Sequence, residues 1–128
     1  MTEKIRYWTD LSEYDFDTAL LMLNGGKYLY VGFMCHQSVE KILKAYYIKE
    51  KKGQPPFVHN LILLAEKSEI YTILSEEQKD LLDLLNPLNI EARYPTYKDK
   101  LFKSLTKEKC DFLIKSTKEF LEWIKSKL

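Results

Sequence analysis

The helix breakers of this chain are few, and nearly all lie between long stretches that contain none. The four glycines are Gly25, Gly26, Gly32 and Gly53, and the four prolines are Pro55, Pro56, Pro87 and Pro95. Glycine and proline are the strongest local interruptions of a helix, so their placement cuts the chain into helical pieces. One piece from about Thr9 to Asn24 ends at Gly25, with Thr9 or Asp10 as its N-cap. A long second piece runs from about Lys27 to Lys51 and stops at Gly53 before Gln54-Pro55-Pro56. A third spans about Asn60 to Ser68, capped by His59 or Asn60. Ser75-Glu76-Glu77-Gln78 reads as a capping box opening a fourth helix that reaches about Asn86. Pro87 and Pro95 then bracket an irregular segment from Leu88 to Tyr94. A last helix starts near Thr106 and carries Phe112, Leu113, Phe120, Leu121 and Ile124. No alternating strand pattern is present, so the expected fold is all-α, an up-and-down bundle of four to five helices.

With 128 residues, 45% hydrophobic and 30% charged, the chain holds enough apolar material for one core. Residues 1–128 are therefore expected to form a single domain. The net charge is +1, which argues against a surface covered in phosphate-binding charge but leaves room for a local basic patch. Lys and Glu dominate over Asn and Gln, a balance found in heat-adapted proteins. Arg6 and Arg93 are the only arginines. Cys35 and Cys110 lack metal-type spacing and read as reduced thiols. The charged start, MTEKIRYWTD, is not a signal peptide, and no run approaches the ~20 apolar residues of a membrane span. The expected location is the cytoplasm, with no membrane contact.

At helical periodicity the second piece has two apolar faces. Tyr28, Gly32, Cys35, Val39, Ile42, Leu43 and Tyr46 form one core stripe. Tyr30, Phe33, Met34, Ala45 and Ile48 lie on the other side, interleaved with His36, Gln37, Glu40, Lys41 and Lys44. Either this helix runs through the middle of the bundle, or its second face meets another subunit; the length of the chain favours a dimer contact.

His36 and Glu40, four apart, share a helical face and could serve as two metal ligands or an acid–base pair. No third and fourth ligand accompany them, so no metal and no cofactor are expected, and His36 reads first as a hydrogen-bonded structural histidine. Arg93 in Glu91-Ala92-Arg93-Tyr94-Pro95 is the second candidate. Between two prolines, with Tyr94, Tyr97 and Lys98 nearby, its guanidinium suits a phosphate or a carboxylate ligand. A salt bridge to Glu91 or Glu40 is the equal alternative. Gly25-Gly26 lacks the spacing of a phosphate loop, no nucleophile elbow occurs, and the basic stretch from Lys98 to Lys109 is diluted by acids.

Taken together, Ala19-Leu20-Leu21, Gly26-Lys27-Tyr28, the run from Phe33 to Tyr46, His59-Asn60-Leu61 and Ala92-Arg93-Tyr94-Pro95 resemble the HEPN family. The pattern Gln-x-x-Glu-Lys-x-x-Lys-Ala at 37–45 followed by the ARYP segment carries most of the likeness. The resemblance implies a bundle of four or five helices that usually dimerises. It also implies proposed nucleotide binding and, in many members, a gene neighbour encoding a minimal nucleotidyltransferase in a toxin–antitoxin-like pair. Many members are ribonucleases with an Arg-x(4-6)-His motif at the dimer cleft. Arg93 matches the arginine of that motif, and no histidine follows it at that distance. The leading expectation is thus a dimeric nucleotide- or RNA-binding or partner-docking module, more a binder than a catalyst on its own. His36, Gln37, Glu40, Lys41, Lys44, Arg93, Tyr94 and Tyr97 would line its site. A metal-independent ribonuclease using Arg93 with His36 or a tyrosine, and a purely structural interaction protein, are the alternatives.

Overall fold

A computed structural model of the chain describes the backbone of residues 1–90 and 95–128, and the side chains of these except 90, 95–98 and 102. Among the described residues there are six α-helices, one short 3-10 turn at Tyr71–Ile73 and no strand. They are α1 (Glu3–Asn24), α2 (Tyr28–Lys51), α3 (Leu61–Lys67), α4 (Glu76–Ile90), α5 (Pro95–Ser104) and α6 (Lys107–Lys125). The all-α class and the bundle architecture stand as expected. α5 lies in a stretch to which the breaker pattern assigned no helix.

Local capping sets several boundaries. Ser75 and Gln78 form the reciprocal box: Gln78 N donates to Ser75 Oγ at 3.1 Å and Ser75 N to Gln78 Oε1 at 2.8 Å. Thr106 caps α6 by accepting from Lys109 N. α1 begins earlier than expected. Thr2 is its cap, accepting from Ile5 N at 3.3 Å, while Thr9 lies inside the helix and turns its hydroxyl back to the Ile5 carbonyl at 2.8 Å. Asn60, and not His59, caps α3, accepting from the amides of Ile62 and Leu63. Asn86 of α4 braces the same corner, accepting from Leu61 N at 2.8 Å and donating to Asn60 Oδ1. Asn60→Ala should therefore cost about 1–2 kcal/mol of stability, the usual range for a lost N-cap, read from urea unfolding.

Pro87 does not stop α4, which continues to Ile90. Proline removes one backbone hydrogen bond and crowds the carbonyl four residues back. The opposing gain is tertiary: Leu88 packs on Gly32, and Asn89 accepts a 2.8 Å bond from Gln37. Gly32 is what lets α4 approach this closely. A Cβ at that position would stand 2.7 Å from Leu88 Cδ1 and 3.4 Å from Leu105 Cδ1. Gly32→Val should destabilise by about 1–3 kcal/mol through overpacking, again visible as a lower urea midpoint.

α2 is the axis of the bundle and touches α1, α3, α4, α5 and α6. The Gly25–Gly26 turn, with Gly26 at φ 71°, folds α1 back along it, so Ser12 meets Ser38 and Trp8 meets Lys44. The main core joins Val39, Ile42 and Leu43 of α2 to Leu64 of α3, Leu82 and Leu85 of α4, and Leu113, Phe120 and Ile124 of α6. On the other side Ala45 and Ile48 are covered by Ile5 and Trp8 of α1. The lower part of the second apolar face of α2, Ala45 and Ile48, is thus enclosed by the chain's own first helix, while Phe33 and Met34 are half-buried and Tyr30 is 53% exposed. Cys35 and Cys110 are free and buried. Burial pushes their thiols up to about 12 and about 11, which leaves them weak nucleophiles.

Candidate functional site

The polar residues of α2 form a strip that enters the bundle between α1 and the segment leading into α3. Glu40 is its centre. The carboxylate is buried, 5% exposed, with Lys44 Nζ donating to Oε2 at 3.1 Å and His59 Nδ1 donating to Oε1 at 3.0 Å. Lys44 is itself buried and lies over the Trp8 ring, 5.4 Å from its centroid, a cation–π contact from the neighbouring helix. Lys41 pairs with Asp15 of α1, and Gln37 donates to Asn89 of α4.

His36 is fully buried. Its Nε2 donates to the His59 carbonyl at 3.0 Å, and Nδ1 has no hydrogen-bond partner, lying 3.9 Å from Glu40 Oε1. Burial holds its pKa down at about 4, against the opposing pull of Glu40 and of the His59 carbonyl bond. A neutral, enclosed imidazole cannot reach a substrate, so His36 acts within the fold as expected of a structural histidine. The exposed histidine of the group is His59, whose side chain is 61% open to solvent. With Nδ1–H engaged by the Glu40 carboxylate, its Nε2 carries the free lone pair, the arrangement in which a carboxylate orients a histidine for proton transfer.

His36, Gln37, Glu40, Lys41 and Lys44 therefore do come together, but bonded chiefly to one another and to Asp15, Asn89 and His59. Glu40 accepts from both Lys44 and His59, and its alternative pairing with Arg93 falls outside the described residues. Arg93 and Tyr94 lie outside the described residues, as does the Tyr97 side chain, although Tyr97 falls in α5. Asp15, Asn89 and Trp8 escaped the sequence reading because each reaches the strip from another helix. His59 was legible only as a candidate cap and as part of the family pattern; its bond to Glu40 spans 19 positions.

Among the described residues no group of three or more His, Cys, Asp or Glu is placed to hold a metal ion. No described helix is long and apolar enough to cross a membrane.

Comparison with known proteins agrees with this architecture. The family model described as HEPN domain matches residues 5–127. The crystal structure of TT1696 from Thermus thermophilus is similar with a TM-score of 0.83, covering 99% of this chain and 100% of that one at 20% sequence identity. At that identity the likeness concerns the fold. No curated protein sequence matches the chain.

Proposed function

Because the chain belongs to the HEPN domain family, we propose that it is a binding module: a homodimer that takes up a nucleotide or RNA, or docks a nucleotidyltransferase partner, in the manner of toxin–antitoxin-like pairs. Arg93 supplies its anion contact, while Lys41 and Lys44, the other candidates, are engaged by Asp15 and Glu40. The observation that carries binding ahead of catalysis is the state of His36. The histidine on the strip is sealed in the bundle and uncharged, and no histidine follows Arg93 at the spacing of the ribonuclease motif. The module is placed in the cytoplasm.

Native mass spectrometry of the purified protein, alone and with a panel of nucleotides, tests this reading. A dimer that retains nucleotide and loses it in Arg93→Ala supports the nucleotide module. A bare dimer that ignores every nucleotide moves the function to a protein partner, to be sought by pull-down with a minimal nucleotidyltransferase. A monomer that binds nothing ends the proposal.

One observation favours a second reading. His59, exposed and held by a buried carboxylate, has the geometry of an acid–base group that His36 lacks. A metal-independent ribonuclease would use His59 with Arg93. Cleavage of mixed RNA that disappears in both His59→Ala and Arg93→Ala would establish it, and RNA left intact after long incubation would exclude it.

A further inference from the structure

At the end of the bundle where α1 begins and α2 finishes, two recesses adjoin. One, of about 350 Å³, is lined by Trp8, Lys44, Pro55 and Phe57; the other, of about 880 Å³, reaches Lys49 and Lys52. They share Lys4, Ile48 and Gln54, so together they make one concavity, of the size that holds small organic ligands.

Two features of its lining have no use in holding the fold. Phe57 is 87% exposed, yet it follows Pro55-Pro56, whose fixed φ angles stiffen the segment that presents it. A single exposed apolar residue is ordinary; this one stands on the same recess as the half-buried Trp8 ring. Finally, Lys4 and Lys52 have no ion-pair partner among the described residues, and Lys49 meets Glu50 only at 4.0 Å. Against these cations the lining holds one acid, Glu3. In a chain of net charge +1, this is a local basic patch beside two aromatic rings.

We infer that this concavity is a binding site for a nucleoside phosphate, with the base against Trp8, Phe57 and Ile48 and the phosphate among Lys4, Lys49 and Lys52. The ligand class follows from the pairing of surfaces. Inorganic phosphate would leave the rings unused, and a neutral aromatic would leave the ammonium groups unused. No further aromatic residue lines either recess, so there is a platform for one base and none for the successive bases of a strand, which favours a mononucleotide over RNA. The inference rests on the nucleotide-binding reading above for its ligand, and differs from it in location, standing on the ends of α1 and α2.

The test uses the full chain carrying Trp123→Phe, so that Trp8 is the remaining tryptophan and its fluorescence reports the recess. AMP and UMP are titrated, with adenosine and ribose 5-phosphate as the two halves of the ligand and a short single-stranded RNA as the polymer. Saturable quenching by the nucleotides, weaker binding of either half, and a loss of about tenfold in affinity in Phe57→Ala are expected. Lys52→Glu should weaken binding similarly. Phe57 and Lys52 are exposed, so neither variant threatens folding. Nucleotide binding, followed by mass spectrometry, that survives Phe57→Ala and Lys52→Glu but not Arg93→Ala would overturn this site and keep the nucleotide module. Binding of the RNA without the mononucleotides would overturn the ligand class. Binding of neither would remove both readings.

Discussion

Replacing Glu40 by alanine should cost the fold about 3–5 kcal/mol, the range for breaking a buried ion pair by removing one partner. Lys44 would be left 7% exposed with no carboxylate, and His59 would lose the acceptor that holds Nδ1. The charge of Lys44 then has little besides the face of Trp8 to offset its lost hydration. The loss should appear as a sharply lower urea midpoint with little change in slope. The double variant Glu40→Leu/Lys44→Met separates the two origins of this cost. It removes both charges and fills a similar volume, so it should be markedly more stable than Glu40→Ala. If the single and double variants were equally unstable, the burden would lie in the shape of the site and not in the unpaired charge.

The second large effect is on pH dependence, and it comes from His36. Its folded pKa, about 4, lies below the ordinary value of 6.5, because the enclosed ring disfavours the charged form. In the range between these values the unfolded chain binds the proton and the folded chain does not. Stability from this group is therefore complete above about pH 6.5 and is lost as the pH falls toward 4. The gap corresponds to about 3 kcal/mol. His36→Gln keeps an amide donor for the His59 carbonyl but has nothing to titrate. At pH 7 the variant should be the less stable protein, and by pH 4.5 the difference should shrink or reverse. Unfolding curves for the two proteins that stay parallel across this range would show that the ring is not held neutral by the fold. The comparison between proteins matters, because it cancels any pH dependence that the two share.

Both effects arise from a single crossing. The strip on α2 carries two histidine contacts, one buried and one exposed, on either side of Glu40. The buried one contributes to stability and its dependence on pH. The exposed one is the group on which the ribonuclease reading depends. Substitution at His59 tests chemistry but also removes a donor from the buried Glu40 carboxylate, so it is read beside a stability measurement, whereas substitution at His36 or Glu40 tests the fold first.

What the amino-acid sequence determined alone is what depends on neighbours in the chain. The Gly25–Gly26 break, the Ser75–Gln78 box and the Thr106 cap each involve groups within a few residues of one another. Their hydrogen bonds form in whatever tertiary setting the segment finds. The helical class followed from these signals, and the HEPN likeness followed from a pattern on one helix and the ARYP segment. The polar strip was legible as a set of residues sharing a face of α2, since 3.6 residues per turn place Gln37, Lys41 and Lys44 together wherever that helix lies. Tertiary structure decided everything that needs two elements to meet. α4 runs past Pro87 because Leu88 reaches Gly32 and Asn89 reaches Gln37, contacts worth more than the backbone bond that proline removes. Ala45 and Ile48 on the second face of α2 are covered by Ile5 and Trp8 of the same chain, which periodicity cannot distinguish from the contact of a partner. Lys41 meets Asp15 and Glu40 meets His59 across separations of 26 and 19 residues. The type of a residue states which partner it needs, and only the docking of one helix on another decides which partner comes within reach.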